Sequence, residues 1–419
     1  MKVCGIIAEY NPFHSGHAYQ ISRARQLSGC DHVIAVMSGD FVQRGAPALA
    51  DKYMRARMAL AEGADLVLML PVYGSTASAE GFARAGVAAL LTTGIVDAIS
   101  FGCENTAICS DDYLYLAEEL AHESSDFQSA LTAALACGLP YAQARVEAVR
   151  SCYGKDIDLS LLDSPNNLLA FEYIRALKYF GADKNIVPVR RQGSYHDEDF
   201  CQPTEWFASA SACRKALLTN SGSEANALEH ARQIPADAAR ALSDYAASYQ
   251  FLQEDDLSLI LHYMLLTHSF HGYETFLDCN ADLSSRICKQ LPDFESFSGF
   301  CDRLNNKSVT RARIARVLTH ILLQLPAQMP SPLISDDGIL PYLRVLGFRQ
   351  SADTLLHELK AHAKAPLITR VPEAQRILSE AAMDYFSQDL LASEIYRSVL
   401  LQKCGHCYPD DYRRRIEIV

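Results

Sequence analysis

Val3-Cys4-Gly5-Ile6-Ile7-Ala8-Glu9-Tyr10-Asn11-Pro12-Phe13-His14-Ser15-Gly16-His17-Ala18-Tyr19-Gln20 opens as an apolar run, breaks at Asn-Pro and continues with helical periodicity. Ala18, Ile21, Ala24 and Leu27 recur on one side of that helix, with Arg23 and Arg25 off it; this is how an α/β unit starts. The turn falls at the carboxyl end of the strand, where open α/β sheets place ligands. Gly16 at the helix entrance lets backbone N–H groups come close to a phosphate, and the free N–H groups of the first turn add the positive end of the helix dipole. His14 and His17 lie three residues apart, so both imidazoles can face an anion there, as donors to a departing pyrophosphate whose charge grows in the transition state. Taken alone, two histidines at a helix start serve equally well as local caps. A metal site is the competing reading, and no third ligand lies at a convincing spacing.

Downstream, apolar runs alternate with helical patterns. Strands are expected at His32–Met37, Asp65–Leu70, Asp97–Gly102 and Asn185–Val189. Helices are expected at Ala48–Glu62, about Ala77–Leu91, as two elements between Asp111 and Tyr153, and after Ser164 with Pro165 in its first turn. Near-continuous apolar strands of this kind call for a parallel sheet covered on both faces. Several connections carry candidate binding groups: Gln43 and Arg44 after the second strand, Gly102 where a base or ribose could lie against backbone, the pair Asn166 and Asn167, and Arg190 with Arg191 ahead of Tyr195 and His196. Phe207-Ala-Ser-Ala-Ser-Ala-Cys-Arg214-Lys215 combines hydroxyls with basic groups, a mixture suited to a triphosphate tail. For most of these a capping or connecting role is an equal alternative.

Beyond Ser221 strand-like runs give way to amphipathic helices, with the change of texture at Thr219–Ser223. His14-Ser-Gly16-His17, after a strand and opening a helix, resembles the His-Ile-Gly-His-type signature of nucleotidyltransferases. With that resemblance the expected architecture is α/β: a Rossmann-like parallel-sheet nucleotidyltransferase domain over residues 1–221 followed by an all-α, RNA-binding domain over 222–419. Arg303 to Ser335 contains no acidic residue but holds Arg303, Lys307, Arg311, Arg313 and Arg316. Ile314, Val317, Leu318, Ile321 and Leu322 form the apolar stripe of a helix there, which leaves Arg313, Arg316 and His320 for another face and a possible phosphate track.

Composition sets outer bounds. The chain has 419 residues, 49% hydrophobic and 21% charged, as in a soluble globular protein. No apolar run approaches the ~20 residues of a membrane span, and no secretory signal opens the chain, so a cytoplasmic protein without a membrane partner is expected. Thirteen cysteines, Cys4, Cys103, Cys137, Cys213 and Cys288 among apolar neighbours, read as reduced core residues. Cys404-Gly-His-Cys407 matches a redox dithiol in letters but lacks the preceding strand of one. A net charge of −12 argues in bulk against nucleic acid, and only clustering of the basic residues can reverse that.

One combination is specific. Gly5-Ile-Ile-Ala-Glu-Tyr-Asn-Pro-Phe-His14 with Gly16-His17, Val36-Met-Ser-Gly39, Gln43-Arg44-Gly45, Asp65-Leu-Val-Leu, Phe101-Gly102-x-Glu104, Pro165-Asn166-Asn167, Tyr195-His196-Asp197 and Ser209-Ala-Ser-Ala-Cys-Arg214 occur together and in order. The set resembles the bacterial tRNA(Met) cytidine acetate ligase family, strongly over roughly residues 1–217 and more weakly at Pro341-Tyr-Leu-Arg344-x-Leu-Gly347. The resemblance implies activation of acetate by ATP, with Mg²⁺, and acetyl transfer to N4 of the wobble cytidine of elongator tRNA(Met), without DNA and without a protein metal site. It places ATP on residues Ile7 to Gln20, Gly102, Asn166, Arg190 and Arg191, with His14 and His17 catalytic. Against the family pattern, Met69 stands where an acidic residue is usual, Ser15 where Asn is usual, and Ser211-Ala212-Cys213 where Thr and Ile are more typical. A small-molecule nucleotidyltransferase of cofactor biosynthesis is the alternative, and a nucleotide-sensing protein a third.

Overall fold

A computed structural model describes residues 1–139, 141–153, 159–191, 207–219, 233–306 and 309–419. The Thr219–Ser223 change of texture, Lys307 and the Tyr195-His196-Asp197 segment lie wholly or mainly outside the described residues.

The opening stretch folds as read. Strand β1 (Val3–Ala8) runs into a turn and then helix α1 (Ser15–Ser28). Four further strands lie parallel to β1: β2 (His32–Ser38), β5 (Leu66–Leu70), β6 (Ala98–Cys103) and β7 (Asn185–Arg190). Between β2 and β5 the chain makes a small hairpin, β3 (Phe41–Val42) and β4 (Ala46–Pro47), then helix α2 (Lys52–Ala61), capped by Asp51. The hairpin shortens the helix expected from Ala48. Three helices, Asp111–Glu119, Ser125–Ala136 and Tyr141–Tyr153, occupy the region expected to hold two.

Within the sheet the order is β5-β2-β1-β6-β7. The chain reverses its direction of travel between β1 and β6, and a crevice opens at such a switch point. Successive residues of β1 serve opposite faces. Ile7 packs with the Ala79–Thr92 and Pro165–Tyr179 helices, Cys4 and Ile6 with α1 and α2. Of the expected α1 stripe, Ile21 and Ala24 are buried, whereas Leu27 is half exposed at the helix end.

The second half corrects one expectation. It is not all helical: β8 (Leu343–Phe348) pairs antiparallel with β5 and extends the sheet, β9 (Leu367–Ile368) and β10 (Glu417–Ile418) pair with β8. Arg344 and Gly347 disguise β8 in sequence, because a charged residue and a glycine argue against a central strand. Arg344 is buried because Asp411 lies 2.8 Å away, and Gly347 is required because a Cβ there would come within 2.6 Å of the Glu417 carbonyl oxygen. Residues 252–325 and the later part of the Glu380–Cys404 helix build a second apolar core that also takes in Phe41 and Val72 from the first half.

The basic stretch is also less open than its sequence implies. In the Arg311–Leu322 helix the expected stripe is buried, but so is His320, whose ring nitrogens lie 2.9 Å from the Leu277 carbonyl and 3.0 Å from that of Thr76. Arg303 pairs with Asp293, and Arg311 with Glu254 and Asp302. Among the cysteines, Cys4, Cys103 and Cys213 are buried, Cys288 partly so, and Cys137 is exposed.

Candidate active site

The cleft lies where β1 and β6 deliver their carboxyl ends. It is lined by His14, Gly16, His17, Tyr19 and Gln20 from the first unit, by Gly102 of β6, and by Val189, Arg190, Arg191 and Phe207. A wider, shallower concavity on the surface, lined by Lys178, Asp336 and Lys364 among others, holds none of these groups.

His14 is the N-cap of α1. Its Nδ1 accepts the Gly16 N–H at 3.1 Å, while His17 Nδ1 accepts the His14 N–H at 3.2 Å, a reciprocal capping box. The two rings lie 3.8 Å apart, tilted by 32°. Gly16 permits this, since a Cβ there would fall 2.8 Å from His14 Cε1. Both imidazoles are held neutral. Burial, with Arg191 and Arg214 adding to it, brings His14 down to about 3, and burial with the neighbouring His14 and Arg191 holds His17 well below its ordinary value. Because each Nδ1 is an acceptor, each neutral ring carries its proton on Nε2. The pair is therefore both cap and candidate donor, and the two readings of the sequence are compatible.

Gly102 leaves its side of the cleft open. Among the described residues a Cβ there would meet only Arg191 Cγ, at 3.7 Å, so none of them fills the space a base or ribose would need. Arg191 extends β7, its N–H donating to the Cys103 carbonyl at 2.8 Å, and its guanidinium donates to Asn166 Oδ1 at 3.2 Å.

The HIGH Nucleotidyl Transferase family model matches residues 1–409. The tRNA(Met) cytidine acetate ligase of Thermoanaerobacter sp. (strain X514) is 34% identical over 398 residues, 94% of this chain and 95% of that protein. The chain belongs to this ligase family. Two solved structures of Thermotoga maritima TmcAL superpose over the whole of both chains: one bound with alpha-thio ATP at 25% identity and TM-score 0.87, the other apo at 26% and 0.88.

In this family member not every residue of the Ile7–Gln20 segment turns its side chain to the cleft. Ile7 faces the opposite side of the sheet, where a Cβ on Gly86 would touch it at 2.7 Å. Tyr10 and Phe13 are core residues that pack against His17, with ring centroids at 4.9 and 5.5 Å. Ser15 Oγ donates to the Gln233 carbonyl, and Asn11 Oδ1 accepts the Leu49 N–H. Arg214 donates to the Asn11 carbonyl at 2.6 Å and to Ser211 Oγ, so it braces the turn beside His14.

Two further residues organise the site. Glu104, just past β6, accepts from the Asn167 N–H (2.9 Å), from Ser164 Oγ (3.2 Å) and from the Asn166 amide. Asn167 answers by accepting the N–H groups of Glu104 and Asn105. Asn167 is thus a structural clamp, and Asn166 links Glu104 to Arg191 at the cleft. Arg55, wholly buried on α2, donates to the carbonyls of Glu9 (2.7 Å), Ser38 (3.1 Å), Ala50 (2.9 Å) and Gly39, and so ties the first turn to the loop after β2. The signal for Glu104 was an acidic residue just after a strand-end glycine. Arg55 gave none, because a single arginine on a helix ordinarily reads as solvated. Among the described residues no cluster of three His, Cys, Asp or Glu side chains has the arrangement of a metal site. No helix among them is long and apolar enough to cross a membrane.

Proposed function

We infer that the protein is an ATP-dependent tRNA(Met) cytidine acetate ligase. Acetate attacks the α-phosphorus of ATP, pyrophosphate leaves, and the resulting acetyl-adenylate yields its acetyl group to N4 of the wobble cytidine with release of AMP. The observation that supports this reading most is the neutral His14–His17 pair at the start of α1, at the β1/β6 switch point of a chain whose ligase relatives align with nearly all of it.

Adenylation asks a protein for alignment and for donors to developing negative charge. The Nε2–H groups of His14 and His17, with the first-turn N–H groups of α1, are suited to the phosphates, Gly102 to the nucleoside, and Arg190 and Arg191 to the anionic tail. Neutral imidazoles donate without first losing a proton, so they stabilise charge without competing as acids. Mg²⁺ would be carried by the triphosphate and neutralise part of its charge. The second step depends on presenting the exocyclic amine to the activated acyl carbon, with the cytidine unstacked.

For the RNA, the tip of the β3–β4 hairpin offers a route to the cleft. Gln43 donates its N–H to Glu9 Oε1 at 2.8 Å, Arg44 is exposed, and Gly45, at φ 71°, packs so closely on the backbone of Ala315 and Arg316 that a side chain there would collide. Arg44 and Arg316 therefore lie at one ridge between the acid-free helix and the first turn, with Arg313 one turn earlier on that helix, a suitable footing for phosphates.

Incubation with ATP, labelled acetate and elongator tRNA(Met) tests the whole reading. The expected products are AMP, pyrophosphate and N4-acetylcytidine at the wobble position only. Pyrophosphate exchange that ignores acetate but responds to a phosphorylated cofactor precursor would overturn it in favour of a small-molecule nucleotidyltransferase.

A further inference from the structure

The Ser258–His268 helix is apolar on two opposite faces. Leu257, Leu261, Met264 and Leu265 are buried in the second core. On the other side Leu259, Tyr263, Leu266 and Phe270 stand 69%, 65%, 51% and 94% exposed. At ~100° per residue Leu259, Tyr263 and Leu266 fall within about 60° of one another, a narrow stripe, and Phe270 follows it just past the helix end, where Ser269 keeps the α-helical conformation. A helix that is apolar all round is ordinarily covered all round, and an aligned apolar patch of this kind marks an interaction site.

Three features select the occupant. From Leu257 to Tyr273 the chain carries no Asp, Glu, Lys or Arg, so the stripe lacks the cations that a phosphate backbone or an anionic lipid surface would require. Its spacing of four, three and four residues is the same in both directions. Two copies laid antiparallel therefore bring Leu259 against Phe270 of the second copy and Tyr263 against Leu266, an aromatic on an aliphatic side chain each time. That self-complementarity is what a two-fold interface demands. Thirdly, four side chains with these exposures offer on the order of 500 Å² per copy, roughly 1,000 Å² for the pair, at the lower limit for a specific interface. Such an area suits a dimer that assembles at micromolar concentration, not an obligate one.

We propose that this face joins two copies of the chain, with the antiparallel Ser258–His268 helices at the centre of the contact. Sedimentation of the full chain from about 1 to about 100 µM should show a reversible monomer–dimer equilibrium. Leu259→Glu and Phe270→Lys, each alone, place two unpaired charges in the contact and should hold the protein monomeric, with melting temperature and ATP–pyrophosphate exchange unchanged. Mixing the two variants should restore a dimer, because the introduced carboxylate then faces the introduced ammonium at one end while the native Leu259–Phe270 contact survives at the other. A wild type that stays monomeric throughout, a dimer that persists in either variant, or a mixture that does not associate would each overturn the proposal. So would a monomeric wild type whose binding to phosphatidylcholine–phosphatidylglycerol vesicles, or to tRNA, is lost in both variants, which would give the face to membrane or RNA instead.

Discussion

At the scale of single residues, the histidine pair ties local structure to chemistry, and substitution can separate the two. Asparagine is among the best N-caps, so His14→Asn should keep α1 capped while removing the Nε2–H donor: near-native stability at pH 7 with slow adenylation. The same variant isolates a pH effect. Unfolded histidine takes a proton near pH 6.5, whereas folded His14, buried beside Arg191 and Arg214, does so only at about 3. Its contribution is therefore present above pH 6.5 and lost as the pH falls through that window. By pH 5 the loss is about 2 kcal/mol, so urea titrations should show the wild type losing that much more than His14→Asn between pH 7 and pH 5. His17→Ala should slow ATP–pyrophosphate exchange by roughly 100-fold, ~3 kcal/mol, as expected for one preorganised donor. Wild-type exchange in that variant would remove His17 from the catalytic step. Since both rings are neutral in the free protein, kcat/KM for ATP should show no histidine limb between about pH 6 and pH 8.

Among elements, the informative contacts join helix starts to strand ends. Glu104 fastens the first turn of the Pro165–Tyr179 helix to the end of β6 and, through Asn166, steadies Arg191. Glu104→Gln keeps the shape but discards the charge that favours the helix N-terminus. It should raise KM for ATP several-fold, with the larger effect on KM than on kcat, because Arg191 loses its brace and no donor to the reacting phosphate is removed; equal loss in both parameters would place Glu104 in the chemistry itself. The Arg311–Leu322 helix carries a second prediction. With Arg303 and Arg311 already paired to carboxylates, Arg313 and Arg316 are, among the described residues of the acid-free stretch, the candidates for phosphate beside Arg44. Replacing both with Ala should weaken tRNA binding and reduce the salt slope by about one unit, while acetyl-adenylate formation continues. An unchanged slope would move the RNA off this ridge.

For the whole molecule, the sheet is completed by residues more than 270 positions away from its neighbouring strand. A buried charge cluster holds that junction. Lys52 Nζ lies 2.8 Å from Asp40 and 3.0 Å from Asp411, and Arg344 lies 2.8 Å from the other oxygen of Asp411. The two cations draw the Asp411 carboxyl well below the usual range despite its burial. Asp411→Ala would leave the buried Arg344 without its carboxylate, while Lys52 keeps Asp40, at a cost of about 3–5 kcal/mol, so a large fall in the urea midpoint is expected; a change under about 1 kcal/mol would mean the cluster is solvated in solution. Met69, where the family resemblance of the sequence leads one to expect an acidic residue, lies in register with Arg344. With Asp411 already against that guanidinium, a carboxylate at 69 has no charge here that it must answer.

Local signals were enough for the parallel β5-β2-β1-β6-β7 core, the α1 entrance and most of the cleft, because apolar periodicity, an Asn-Pro break and a glycine at a strand end all act over a few neighbouring residues. Tertiary structure alone decided the rest. No spacing rule shows that Arg344 will meet Asp411 and thereby become strand, that His320 will be buried rather than face solvent, that Arg55 will gather four carbonyls, or that the Leu259–Phe270 stripe will be left uncovered. Each of these depends on a partner distant in the chain, and whether a charged or apolar side chain is buried or exposed is settled by that partner and not by its neighbours in sequence.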